Sequence, residues 1–322
     1  MNGLTLALCD GNAMPIDPDI QALLQGMAAA NLPPLETLAP EAARAFERQL
    51  SAMGDFRPDI WQVSDLLIDG GEAALPARLY RAVERCRALV VFFHAGGWVI
   101  GDLDSADAQL RWLAARTDCA ILSVAYRLAP EHRFPAAADD ACAALSWAQA
   151  HTEQLAGGDV RLVVAGESAG ANLAAVAAIA ARDAGGPPLA AQILLYPVTD
   201  SSFDYASYRQ CADGPLLTRK GMGWFWDLYA PDAAQRLDPR AAPLRTGSFA
   251  GLPPTLIQTA EFDPLRDEGE AYGLKLAEAG VDATVQRRAG LIHGYAGMIA
   301  AAPAAMQALQ DVAVFLLEHS RD

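Results

Sequence analysis

Ser168 stands between two glycines in Gly166-Glu167-Ser168-Ala169-Gly170, directly after the apolar, β-branched run 162–165 and directly before an alanine-rich stretch over 169–182. A buried strand that turns into a helix within so few residues needs a sharp corner, and the serine occupies it. Small side chains at Gly166 and Gly170 let the two backbones approach. The serine oxygen then lies at a helix N-terminus, where unpaired N–H groups and the helix dipole favour negative charge. That is chemistry for a nucleophile attacking a carbonyl.

A serine hydroxyl is a poor nucleophile until a base takes its proton, and the base needs a third group to fix its tautomer. In one of the chain orders in which this trio recurs, the acid and then the histidine follow the serine. Two histidines do so, His293 and His319. His319 ends the last predicted helix in a charged segment and reads as a solvated helix end. His293 follows a predicted strand in Leu291-Ile292-His293-Gly294-Tyr295, where Gly294 supplies a turn, and is read as the base. The acid belongs on the loop after the apolar run 255–259. Asp263 precedes Pro264 there, which biases it to an extended conformation; Glu261 is the alternative, while Asp267 and Glu268 fall in the first turn of the next helix and complement its dipole. A tetrahedral intermediate also needs backbone donors for its oxyanion. The N–H of Ala169 is one, and Gly96 and Gly97 in His94-Ala95-Gly96-Gly97-Trp98 supply the others, with His94 fixing that loop by hydrogen bonding.

The elements that must hold these groups follow from periodicity. Helical patterns after Asp17-Pro18-Asp19 and over 40–53 precede any expected strand, separated by Asn31-Leu32-Pro33-Pro34. Strand-like runs 60–68 and 74–83, joined through Asp69-Gly70-Gly71, predict an antiparallel hairpin. From 89–93 onward strands and helices alternate. Helices over 106–116, 136–151, 169–182, 264–279 and 303–319 lie between or after strands over 120–125, 160–165, 191–196, 255–259 and 283–287. This predicts an α/β fold with a mostly parallel sheet covered on both faces. Residues 200–250 interrupt the alternation with Phe203, Tyr205, Tyr208, Trp224, Phe225, Trp226 and Tyr229. Each of these aromatics can line a pocket or pack the insertion onto the sheet. The expected organisation is a catalytic domain over 56–199 and 251–322, with a helical cap made from 200–250 and the N-terminal helices within 1–55.

Composition narrows the partners. The formal net charge of −15 over 322 residues repels phosphate backbones and anionic lipid surfaces, so neither nucleic acid nor membrane is an expected partner. Five cysteines (Cys9, Cys86, Cys119, Cys142 and Cys211) without a C-x-x-C pair fit neither a disulfide framework nor a zinc site. No basic region precedes the apolar letters of 1–10, and no stretch reaches about 18 uninterrupted apolar residues. A reducing, cytoplasmic setting with no metal and no cofactor is expected.

Five motifs together resemble one family. His94-Ala95-Gly96-Gly97-Trp98, Tyr-Arg-Leu-Ala-Pro-Glu-His-Arg-Phe-Pro-Ala-Ala-Ala-Asp-Asp over 126–140, Gly-Glu-Ser-Ala-Gly-Ala-Asn-Leu over 166–173, Asp-Pro-Leu-Arg-Asp-Glu over 263–268 and His293-Gly294-Tyr295 are similar to the bacterial members of the hormone-sensitive lipase family (family IV) of esterases, in register from about residue 17. The resemblance implies an α/β-hydrolase fold with a helical cap and cofactor-free hydrolysis of short-chain carboxylic esters. It assigns Ser168, Asp263 and His293 as nucleophile, acid and base, and Gly96, Gly97 and Ala169 as oxyanion donors. It also implies a structural role for 126–140, with Arg127, Glu131 and Asp139 in a buried charge network. Ala95, Glu167 and Ala171 depart from the family's commoner Gly, Asp and Gly. An amide or N-acetyl deacylase would use the same groups, and a non-catalytic small-ligand receptor on this fold would be expected to lack one of the three. Pairing through the edge of the last strand, 283–287, is the expected route to a homodimer.

Overall fold

In the computed structural model the described residues are 5–7, 15–30, 32–52, 56–186 and 188–320; Cys9 and Met53 lie outside them. Nine strands form one sheet: β1 (Thr5–Ala7), β2 (Gln62–Asp69), β3 (Ala74–Arg81), β4 (Ala88–Phe93), β5 (Ala120–Val124), β6 (Arg161–Glu167), β7 (Ala191–Leu195), β8 (Thr255–Phe262) and β9 (Ala283–Ile292). Their spatial order is β1-β9-β8-β7-β6-β4-β5-β3-β2. The β2–β3 hairpin is antiparallel and β3 meets β5 antiparallel, while every other pair is parallel.

The helices are α1 (Pro18–Ala29), α2 (Pro40–Ala52), α3 (Asp107–Thr117), α4 (Ala136–Ala150), α5 (Thr152–Ala156), α6 (Ala169–Asp183), α7 (Ala206–Gln210), α8 (Arg219–Tyr229), α9 (Arg266–Glu278) and α10 (Pro303–His319). Strand β4 shows why the sheet must be covered twice: all six of its residues are buried. Leu89, Val91 and Phe93 join a core with residues of α4, α6 and α9, and Ala88, Val90 and Phe92 join a second core with residues of α3 and α10. Such runs have no solvent face, so period-2 alternation is absent from the letters.

Several elements differ from the sequence expectation, among them β8 and β9, which run on to Phe262 and Ile292. Helix α9 begins at Arg266 and not at residue 264, because Asp263 accepts from the N–H of Leu265 and of Arg266 in a turn ahead of the helix. Helix α5 follows α4 after a break at His151, where one helix was expected to end. The largest correction is at the sheet edge: Thr5, Leu6 and Ala7 pair in parallel with Thr284, Val285 and Gln286, so β9 has a neighbour on both sides. A three-residue strand is too short to show a period. Self-association through that stretch of β9 loses its basis; a dimer mass by light scattering would direct attention to the outer edge of β2 instead.

The insertion between β7 and β8 contains α7, α8 and two 3-10 turns, Gln235–Leu237 and Pro243–Arg245. Its aromatics pack it down. Trp226 and Tyr229 of α8 meet Trp98 of the loop after β4, with Tyr229 stacked on the indole at 4.1 Å, and Phe134 adds an edge contact. Helix α8 also lies against the 3-10 turn Leu35–Thr37 between α1 and α2.

Candidate active site

The corner between β6 and α6 is as tight as its glycines imply. A Cβ on Gly166 would fall 2.3 Å from the carbonyl oxygen of Gly170, and one on Gly170 would fall 2.0 Å from that of Phe93. Real side chains do not fit there, so helix, strand and the end of β4 can meet only through bare backbone. Ser168 itself takes φ +53 and ψ −118, a strained conformation for a non-glycine residue. Its N–H donates to Leu195 O at the end of β7 and its carbonyl accepts from Asn172, which lock the corner in place.

Three loops at the C-terminal ends of β6, β8 and β9 bring Ser168, Asp263 and His293 together. Nε2 of His293 lies 3.0 Å from Oγ of Ser168, and Nδ1 lies 2.7 Å from Oδ2 of Asp263. The other carboxyl oxygen of Asp263 accepts from Leu265 N. Asp263 is fully buried, whereas Ser168 and His293 keep 5% and 8% of their surface, so solvent reaches the serine hydroxyl and the imidazole but not the Asp263 carboxyl group. Glu261, the alternative acid, accepts instead from Gly290 N. His319 bonds to Phe315 O at the end of α10.

The loop after β4 turns tightly, with Val99 N and Ile100 N both donating to Gly96 O. Gly96 (φ +122) and Gly97 (φ +58) have conformations that side-chain-bearing residues rarely adopt. A Cβ on Gly97 would land 2.1 Å from the Phe225 ring of α8. Among the described residues no protein acceptor takes the N–H of Gly96, Gly97 or Ala169. His94 is buried, stacks on Tyr126 at 4.4 Å and holds Ala95 O with Nδ1 at 2.7 Å; burial pushes its pKa down. It fastens the loop from inside.

Sequence reasoning missed several neighbours. Glu167 is buried, and its carboxyl accepts from Tyr196 OH at 2.8 Å and from the amide nitrogen of Gln109. Burial pushes its pKa up to about 7, against the lowering effect of those two donors and of His293. The Tyr196 ring stands beside the imidazole, centroids 4.9 Å apart. Asn172 donates to Val198 O and to Ala241 O, tying α6 to the insertion. None of these contacts has a local spacing signal; the topology brings together residues far apart in sequence.

The charge network expected over 126–140 is divided. Arg127 pairs with the fully buried Asp140 and with Glu72, Glu131 pairs with Arg44 of α2, and Asp139 makes a long contact with Arg240. Helical phase is the reason: Ala137, Ala141, Ala144 and Ala148 make the buried face of α4, and Asp140 shares it while Asp139 does not.

Among the described residues no group of three His, Cys, Asp or Glu could hold a metal ion, and no helix is long and apolar enough to cross a membrane. A family profile described as the alpha/beta hydrolase fold matches residues 90–297. The chain is 38% identical to the carboxylesterase NlhH of Mycobacterium tuberculosis over 298 residues, covering 90% of this chain and 93% of that one. It is 37% identical to the ethyl acetate hydrolase of Pseudomonas putida, covering 88% and 93%. The crystal structure of a thermostable esterase from Pseudomonas putida superposes with a TM-score of 0.91 at 39% identity, covering 97% of this chain and all of that one. The fold, the serine corner and these likenesses agree: the chain belongs to the hormone-sensitive lipase family (family IV) of esterases in the α/β-hydrolase superfamily.

Proposed function

We propose that this carboxylic ester hydrolase cleaves short-chain esters through an acyl-enzyme on Ser168, with His293 as base and Asp263 as the acid that orients it. The observation that carries the reading is the continuous contact Ser168 Oγ, His293 Nε2, His293 Nδ1, Asp263 Oδ2, at 3.0 and 2.7 Å. His293 takes the serine proton as Oγ attacks the carbonyl, then gives it to the departing alcohol; water repeats the cycle and releases the acid. Asp263 holds Nδ1 as the donor, leaving Nε2 to accept. The N–H groups of Gly96, Gly97 and Ala169 receive the oxyanion.

The N-terminal helices α1 and α2 and residues 200–250 act as the cap. Apolar side chains support a small acyl pocket: Phe225 covers Gly97, and Leu216, at φ +70, reaches Gly294 beside the base. Among the described residues four free cysteines, three of them buried, support a reducing, cytoplasmic setting. The test is hydrolysis of p-nitrophenyl esters from acetate to palmitate, and of the matching anilides, by the wild type and Ser168→Ala, with a fluorophosphonate label located by mass spectrometry. Fast turnover of short esters, lost in the variant, with the label on Ser168, is expected. Faster turnover of the anilide would make the protein an amidase, and no label would remove Ser168 as the nucleophile.

A further inference from the structure

Glu167 immediately precedes the nucleophile, yet no step above uses it. Both of its carboxyl oxygens are engaged: Oε2 accepts from the phenol of Tyr196 at 2.8 Å, and Oε1 accepts from the amide nitrogen of Gln109 on α3. Two donors on two oxygens serve a carboxylate, which can only accept. The Tyr196 ring lies between this carboxyl group and the base, its plane at 63° to the imidazole of His293.

Tyr196 is itself tightly held. It follows β7 with φ +37, its N–H donates to Gln258 O at 2.6 Å, and its ring meets that of Tyr295 at 5.0 Å. Tyr295 in turn donates its hydroxyl to Gln258 Oε1 at 2.7 Å. A bulky residue keeps such a backbone conformation only where its surroundings over-determine it. The groups that face Glu167 are Gln109 from α3, Tyr126 after β5, Tyr196 after β7, and His293 and Tyr295 after β9. None of these carries a permanent positive charge, so among the described residues the only cation that forms beside Glu167 is the protonated base.

Resting on the assignment of Ser168 and His293 above, we propose that Glu167 is a positioning residue of the reaction. Through Tyr196 it fixes the face of the His293 ring, and as a carboxylate it favours the imidazolium formed when Ser168 gives up its proton. Asp263 then acts on the imidazole along Nδ1, and Glu167 acts from behind the phenol that flanks the ring. Two carboxyl groups serve one base, and only Asp263 touches it.

The sign follows. With a carboxyl group titrating near neutrality, acid protonates Glu167, and losing that carboxylate lowers the rate. The test is the pH profile of kcat/KM for a short p-nitrophenyl ester in the wild type, Glu167→Gln and Tyr196→Phe, with fluorophosphonate labelling of Ser168 in each. Glutamine preserves the shape, and Gln109, whose amide oxygen has no partner, can turn that oxygen to the new NH2 group. Glu167→Gln is expected to lose about tenfold in kcat at pH 8 with KM unchanged, the difference closing below about pH 6, and its acid limb should be shallower than the wild type's. Tyr196→Phe removes a donor that stabilises the carboxylate, so its acid limb should move to higher pH.

A Glu167→Gln profile parallel to the wild type at every pH, whether lowered or not, overturns the proposal. If that variant shows no cooperative melt, an unmoved acid limb in Tyr196→Phe overturns it. Failure of the underlying reading looks different: the wild type itself would carry no fluorophosphonate on Ser168.

Discussion

Gly97 combines two constraints in one residue. Its φ of +58 lies in the left-handed region, costing roughly 1 kcal/mol for an ordinary side chain, and a methyl group would overlap the Phe225 ring. If Gly97 N–H is an oxyanion donor as proposed, Gly97→Ala should displace it and lower kcat about 10²-fold or more, the usual effect of losing one such donor. Gly97→Ala combined with Phe225→Ala should recover part of that rate if the ring overlap is the cause; no recovery in a steady-state assay would assign the loss to the backbone alone. At this scale the sequence was readable in which side chains come together. Ser168, Asp263 and His293 follow the serine-acid-histidine order, and turn-forming or extended-backbone residues mark their positions. It was unreadable where a partner arrives by topology, as Gln109 and Tyr196 do at Glu167. The exchange of Asp139 for Asp140 in the buried pair with Arg127 was a matter of helical phase that the run of alanines in α4 already contained.

Among the elements, α2 is tied to the body through Arg44 as well as through its buried Ala43. Arg44 donates to Val99 O and Ala129 O and makes a two-pronged contact with Glu131, joining α2 to the loops after β4 and after β5. Arg44→Ala should cost about 1–3 kcal/mol, since two partly buried carbonyls lose charged donors, and should lower Tm and speed proteolysis near residue 52. Arg44 also holds Glu131 well below the usual carboxylate range, at about 2. A depressed folded pKa means that this pair contributes above the ordinary Glu value, about 4.3, and that its contribution is lost as pH falls from there to about 2. Acid-induced release of α2 in that window, followed by hydrogen exchange, should be absent in Glu131→Gln, whose residual contact does not titrate. Strands and helices of the alternating region were legible because each buried run is bounded by turn residues. The extra length of β8 and β9 was not, since polar letters such as Glu261, Arg287 and Arg288 end an apolar run on paper while the backbone ladder continues.

Across the whole molecule the insertion and the sheet are joined at Glu268. Its Oε1 accepts from the N–H groups of Thr199 and Asp200, where the chain leaves β7, and burial pushes its pKa well above that of an ordinary carboxyl group. A raised folded pKa means the native state binds this proton more tightly than the unfolded chain, so stability falls as pH rises above the ordinary Glu value. Glu268→Gln keeps the acceptor without the charge; its Tm should match or exceed the wild type's, with an advantage that grows between about pH 4 and pH 8. A variant that melts lower at pH 8 would contradict this reading of the junction. The strand order has a consequence in time. β1 holds residues 5–7 and pairs with residues 284–286, and Asp17, the cap of α1, bonds to Gly290. Residues 5–7 must therefore wait for residues 284–286, and His293, which lies against Ser168, comes 125 residues after it. During translation Ser168 is present long before His293, so the contact between them forms only once β9 has been made.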